Sequence, residues 1–468
     1  MKYRYLVILL LFVLVFMLPA LAHADPGSTD VLYPILEDSL WGYMNQAGEV
    51  VIKPQFAEAE PFRGNYSVVR PITLSDYQSS WRGIIDRSGQ WVFPPDGSVI
   101  TSLDDSFLYI GGRDEGIYII ENPDLKAAGF LDIPSGFFLG MIYQWVYADM
   151  DKDLVCVMVN NHKGFSSRTT GGIVIPCLYD LDFSYSFVNG YCNVLPSEPE
   201  IADGWILIDR HGAEIPLPQN CYATAAGDVG NGLAPVWNSS TQLCGYMDLQ
   251  GNVVIEPQYI VAYPFSEGLA CVRISREGNL FSVITPDNEI VTMLKDDLNR
   301  KGSSFIYSHG LLRTAHYDEN NQLAYIAFLD HNGIESFRID AENLLDVTDF
   351  DENGLAFYIT GEETRFGQYF NMRYGLFNIQ GEKLTQPVFC FSETGSFDQF
   401  SEGLIPVIDE KTGKSGYINE RGEWAIPATW DKAMSFYHGL AAVEEDEYLS
   451  YINHEGVVVW QENKENAS

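Results

Sequence analysis

Gly245-Tyr246-Met247-Asp248-Leu249-Gln250-Gly251-Asn252-Val253-Val254-Ile255-Glu256-Pro257-Gln258-Tyr259 decides the fold of this chain, because its pattern returns elsewhere. Phe265-Ser266-Glu267-Gly268-Leu269-Ala270-Cys271-Val272 follows it. Gly42-Tyr43-Met44-Asn45 leads in the same way to Gly48, Val51-Ile52, Pro54, Phe56, Phe62 and Gly64. Gly416-Tyr417-Ile418-Asn419 leads to Gly422, Ile426-Pro427, Trp430, Phe436 and Gly439-Leu440-Ala441. Weaker copies start near Gly83, Ile206, Ala327, Gly375 and Ser450, and fainter ones near Gly116 and Ser282. Starts lie about 34 to 48 residues apart. Self-similarity at a fixed period marks a repeat architecture.

Each unit reads as a three-strand meander with a connector. The short apolar Gly-Leu-Ala-x-Val run is one strand and Gly245 to Asp248 the next. The turn Asp248-Leu249-Gln250-Gly251 follows, then a third strand, Val253 to Ile255, ended by Pro257. The same Asx-x-x-Gly spacing recurs at Asn45–Gly48, Asp86–Gly89, Asp209–Gly212, Asp330–Gly333, Asn378–Gly381, Asn419–Gly422 and Asn453–Gly456. An Asx side chain accepts bonds from following N–H groups, and Gly takes φ > 0 without a Cβ clash, so this is a hairpin signal. The connector aromatics Phe56, Phe62, Tyr259, Phe265, Trp430 and Phe436 are expected to pack between units. Pro235 and Pro406 fall three residues after their unit's Gly, and proline has no ladder N–H, so a free edge is expected there.

The expected fold is therefore all-β. About ten or eleven units fill residues 25–460, degenerate around 116–200, with a polar tail at 461–468. A lone meander cannot bury its apolar face, but stacked neighbours can. Ten units exceed the usual four to eight blades of one propeller. An open solenoid or superhelix is expected, with one large or two smaller β-propellers as the alternative.

The chain of 468 residues opens with an export signal. Lys2 and Arg4 precede the apolar run Leu6–Leu18, and Ala22-His23-Ala24 fits a cleavage site, so residues 1–24 are read as a leader. That run is short for a membrane span, and a secreted or envelope location without membrane insertion is expected. Net charge is −36, more negative still without the leader. The sign disfavours nucleic acid and anionic membranes as partners. Cysteines stand at positions 156, 177, 192, 221, 244, 271 and 390. Most lie in apolar runs, where Cys acts as a small hydrophobe, and the odd count cannot fully pair within the chain. One or two disulfides are compatible with export.

Chemistry-bearing motifs are sparse. Asp149-Met150-Asp151-Lys152-Asp153 begins like a calcium loop, but Leu154 and Asn160 stand where Gly and Glu are needed. The eight histidines lack metal-ligand spacing, and His438 and His454 stand alone in repeat loops. No nucleophile elbow, zinc-protease motif or P-loop occurs. The acidic pairs Glu362-Glu363 and Asp409-Glu410 read as solvated faces. No catalytic, cofactor-binding or metal-binding residue is assigned, and no cofactor is expected, with calcium at the Asp149–Asp153 loop as the alternative to a solvated acidic loop.

These residues resemble the bacterial WG-repeat family, also written KWG. Trp41-Gly42-Tyr43-Met44-Asn45 fits its opening, and Phe265-Ser266-Glu267-Gly268-Leu269-Ala270 and Phe400-Ser401-Glu402-Gly403-Leu404 fit its close. The naming Trp is replaced by Cys244, Tyr374 or Ser415 in other units. The resemblance implies a β repeat module and carries no catalytic or ligand residues. The expected role is an exported, non-catalytic scaffold recognising protein, peptide or cell-wall glycan. The alternatives are a hydrolase with loop-borne carboxylates and a purely structural surface protein.

Overall fold

A computed structural model describes residues 31–463, apart from 73–80, 104–116, 123–124, 151–152, 181–186, 198–203, 225–227, 276–279, 295–302, 320–321, 364–368 and 391–399. Residues 1–24, read from sequence as a leader, lie outside the described residues. Every regular element among the described residues is a β-strand, and the strand ladders are antiparallel and join strands consecutive in sequence. One representative unit joins strands Cys221–Ala223, Leu233–Asn238, Leu243–Asp248 and Val253–Tyr259 in that order.

All eight Asx-x-x-Gly tetrapeptides are turns. Their glycines have φ between +72° and +84°. In the representative turn, Asp248 Oδ1 accepts from the N–H groups of Gln250 and Asn252, at 2.9 and 2.8 Å. Gly251 N–H donates to the Asp248 carbonyl at 3.1 Å. The Phe-Ser-Glu-Gly-Leu segment adds a second turn: Glu267 and Gly268 both take φ > 0, between a Ser266–Leu269 bridge. Such a pair of positive φ angles matches the right-handed strand twist.

The glycine in Gly-Tyr-Met serves a different need. A Cβ on Gly245 would lie 2.3 Å from the Ile255 carbonyl oxygen and 2.7 Å from Pro257 N. The register of the third strand against the second shifts between Cys244 and Tyr246, bringing its backbone onto Gly245, so no larger side chain fits. The next residue clamps the unit to its neighbour. Tyr246, Tyr417 and Tyr43 hydroxyls donate to the carbonyls of Tyr263 (2.7 Å), Met434 (2.8 Å) and Glu60 (2.9 Å).

Successive side chains along these strands point to opposite faces, and both faces are covered. Leu269 and Cys271 pack toward the following unit, with Phe281, Tyr307 and Leu312. Ala270 and Val272 pack toward the preceding one, with Tyr246, Ile255 and Phe265. This explains why the Gly-Leu-Ala-x-Val runs are apolar throughout instead of alternating. All six connector aromatics lie in or against clusters shared by consecutive units, as expected. A free edge appears at Pro235: the ladder to Cys221–Ala223 reaches Val236 and stops one residue short of it. The segment that would pair opposite Pro406 lies outside the described residues.

The array closes on itself. Tyr33, Ile35 and Met44 of the first unit share one buried cluster with Leu440 and Tyr451 of the last. Tyr451 Oη donates to the Pro34 carbonyl at 2.8 Å, and Tyr33 Oη to the His438 carbonyl at 2.7 Å. The arrangement is thus the closed, propeller-like alternative in one large ring, and the open solenoid is corrected. The physical reason lies in the end units. An open array needs polar outer faces at its ends, whereas Tyr33, Ile35, Leu440 and Tyr451 are apolar there and cover one another.

Candidate functional site

The long strand Val50–Ala59 leaves the first unit's sheet and enters the second's. Its Trp41-facing half pairs Trp41 with Phe56, and its far half pairs Glu58 with Arg70 and Ala59 with Val69. Strand Gly83–Asp86 lies on the other side of Tyr66–Pro71, with Val69 opposite Gly83. Glu58, Arg70 and Arg82 therefore sit in one row across adjacent chain segments. Glu58 binds both arginines, at 2.9 Å to Arg70 and 2.7 Å to Arg82. Arg82 also approaches Glu60 at 3.5 Å. The Tyr43 clamp and Ser67 Oγ, at 2.9 and 2.7 Å, hold the Glu60 backbone carbonyl.

Around this row are two adjoining open hollows of about 230 and 490 Å³. Trp41 walls the smaller and Trp81 the larger, where Ser98 also contributes. The larger volume is in the range of small-ligand sites. Two buried polar atoms here, Arg70 Nε and Ser98 Oγ, have no hydrogen-bond partner among the described residues. Ser98 is only 5% exposed. Buried polar groups are nearly always satisfied, so unpaired ones call for an explanation.

The two carboxylates are driven apart. Burial raises Glu60 above the usual carboxylate range, against the opposing charges of Arg82 and Arg63. Burial also pushes Glu58 upward, but hydrogen bonds and charge from Arg70 and Arg82 outweigh it and hold the group low.

None of these site residues except Trp41 stood out in the sequence. The available signal was charge. Arg63, Arg70, Arg82 and Arg87 cluster in a chain with 64 acidic and only 28 basic residues.

The residues that did stand out lie elsewhere. Asp151 is outside the described residues, and Asp153 pairs with Arg210 at 3.5 Å. Glu410 pairs with Arg373 at 3.0 Å, and Glu362 accepts from Asn371 at 3.3 Å. His438 and His454 do not stand alone. His454 Nε2 meets Glu402 at 3.0 Å and stacks on Phe436, while the His438 carbonyl accepts from Tyr33 and Gln46. Glu267 makes the equivalent contact with His331, also at 3.0 Å. All seven cysteines are free thiols, so no disulfide is formed. No group of three or more His, Cys, Asp or Glu side chains among the described residues is arranged to hold a metal ion.

Three segments match the family model of the WG containing repeat, residues 41–70, 245–275 and 416–448, so the chain contains WG repeats. No curated protein matches by sequence. Similar solved structures include a eukaryotic initiation factor, 11% identical over 76% of this chain and 95% of that one, with a TM-score of 0.35. BamB from Moraxella catarrhalis is 13% identical over 65% of this chain and 93% of its own, at a TM-score of 0.29. Dipeptidyl peptidase 4 from Porphyromonas gingivalis is 11% identical over 94% and 60%, at 0.32.

Proposed function

We propose that this repeat scaffold is exported and recognises a cell-wall glycan in the cleft between Trp41 and Trp81. The observation that carries the reading is the cleft's composition. Two indole side chains offer faces for stacking on sugar rings. Between them lie paired Arg and Glu side chains, whose planar groups match adjacent hydroxyls, together with an unpaired buried hydroxyl. Calorimetric titration with soluble wall-glycan oligosaccharides tests it. Binding that weakens at least about tenfold, roughly 1.4 kcal/mol, in Trp81→Ala is expected. Silence across all such glycans, or equal affinity in the variant, would sink it.

One observation favours a hydrolase as the second reading. Glu60 and Glu58 are shifted in opposite directions, the pattern that separates an acid from an ionised partner. Product analysis after prolonged incubation with the same oligosaccharides distinguishes the two: recognition alone leaves them intact, and cleavage lost in Glu60→Gln supports the enzyme.

A further inference from the structure

We propose that the glycan held in this cleft carries a carboxylate, seated on Arg70, Arg82 and Ser98. The inference rests on the recognition reading above and names the chemistry of its ligand.

The first argument is a count of donors. Each guanidinium offers five N–H donors and no acceptor. The hydrogen-bond-length contacts of this pair in the row are one from each arginine to Glu58. Among the described residues Arg70 Nε is buried without a partner, and Ser98 Oγ is likewise unpaired at the same hollow. The site has donors to spare. A neutral sugar hydroxyl brings a donor of its own, which this donor-rich site would also have to satisfy. A carboxylate brings only acceptors, and its two oxygens match the guanidinium fork.

The second argument comes from the repeat itself, which supplies equivalent positions for comparison. The Glu58–Arg70 slot is filled in the last unit by Lys432 and Glu444, which face each other across the same ladder and pair at 2.6 Å. The residue opposite Glu444 on the next strand is Leu449. In another unit Phe281 lies opposite Arg273. The first unit alone among these three puts a second cation, Arg82, at that place. Arg82 is shared between Glu58 and, at 3.5 Å, Glu60, so two arginines face two carboxylates, and what departs from the sibling units is the extra guanidinium fork. An exposed arginine contributes little to stability, so packing does not account for it.

The probe is the N-acetylglucosaminyl–N-acetylmuramic acid disaccharide, measured beside the same molecule with its lactyl carboxylate methyl-esterified. Esterification removes the charge and keeps the rings. Calorimetry is run on the full mature chain and on Arg82→Leu and Arg82→Lys. The acid is expected to bind at least tenfold more tightly than the ester. That ratio should fall to near one in Arg82→Leu and be only partly kept in Arg82→Lys, which has charge without the fork. Equal binding of acid and ester, both lost in Trp81→Ala, overturns the carboxylate and leaves glycan recognition standing. Failure of both sugars to bind overturns the recognition reading as well. Tight binding of a sugar phosphate with no response to the acid also overturns the proposal. Thermal melts of both Arg82 variants confirm that folding is intact.

Discussion

Replacing Ile35 with alanine tests the closed ring directly. Ile35 is fully buried in the cluster joining the first unit to Leu440 and Tyr451 of the last. Truncating a buried Ile to Ala costs about 2–5 kcal/mol, as lost transfer energy plus a cavity. In an open array the same side chain would sit on an end face in solvent, where substitutions stay within about 0.5 kcal/mol. Ile326→Ala, fully buried at an interior seam, is the yardstick. Tyr451→Phe supplies the opposite side of the closure. Its hydroxyl donates to the Pro34 carbonyl at 2.8 Å in a buried setting, and its loss leaves that carbonyl unpaired. A cost of about 1–3 kcal/mol is expected. Because Pro34 adjoins Ile35, the two changes should couple by about 0.5–3 kcal/mol in a double-mutant cycle. Urea unfolding measures the cycle. Hydrogen exchange should show both terminal units opening faster in either single variant, although the substitutions are more than 400 positions apart in sequence. An Ile35→Ala cost below about 0.5 kcal/mol, additive with Tyr451→Phe, would refute closure.

Three further outcomes are expected. Arg168→Met should destabilise by about 3–5 kcal/mol in urea, since it removes the only opposite charge that meets the buried Asp132 among the described residues, at 2.8 Å from Arg168 Nε with both side chains 4% exposed, and leaves it with the Ser135 bonds alone. Gly251→Ala should cost clearly more than Gly268→Ala in thermal melts. Their φ angles are +84° and +85°, but a Cβ at Gly251 would press on the Pro216 carbonyl oxygen at 2.6 Å while Gly268 faces open space. Burial pushes the Cys271 thiol up to about 12 from an ordinary 9.0. Its contribution to stability is therefore complete below pH 9 and lost as pH rises from 9 towards 12. Cys271→Ala should flatten part of the alkaline loss, and a thiol reagent at pH 8 should label Cys271 only after denaturation.

What the sequence revealed was local. Each Asx-x-x-Gly turn is closed by its own side chain and glycine, so spacing alone identified all eight. The connector aromatics and apolar cysteines were equally legible, because one repeat position means one packing environment. Closure was harder, since it depends on a small rotation accumulated over the whole array. The signal was nonetheless present at Tyr33, Ile35 and Tyr451, apolar residues where an open array would need a polar cap. The Glu–His contacts were missed for a different reason. Glu402 and His454 come from different turns of neighbouring units and meet only across the seam between them. The cleft was missed in the same way: Glu58, Arg70 and Arg82 belong to three segments, and only strand register sets them side by side.

The repeat and the cleft divide the work between them. Tyr43 makes the same clamp in the first unit that Tyr246 and Tyr417 make in theirs, so the frame is held by the shared residues. In the first unit the carbonyl it grips is that of Glu60, which places a cleft carboxylate by means of a contact every one of these units would make anyway. Specificity can then arise from side chains alone, with the backbone unchanged. Val261 and Arg273, Lys432 and Glu444, and Glu58 and Arg70 fill one cross-strand slot with different chemistry on one geometry. A ring with no free end fixes each slot between two neighbours, so a residue such as Arg82 can be spent on binding where a leucine or phenylalanine would serve packing. Sites in such a scaffold are to be sought where a unit departs from its siblings, and the Trp41–Trp81 cleft is such a departure.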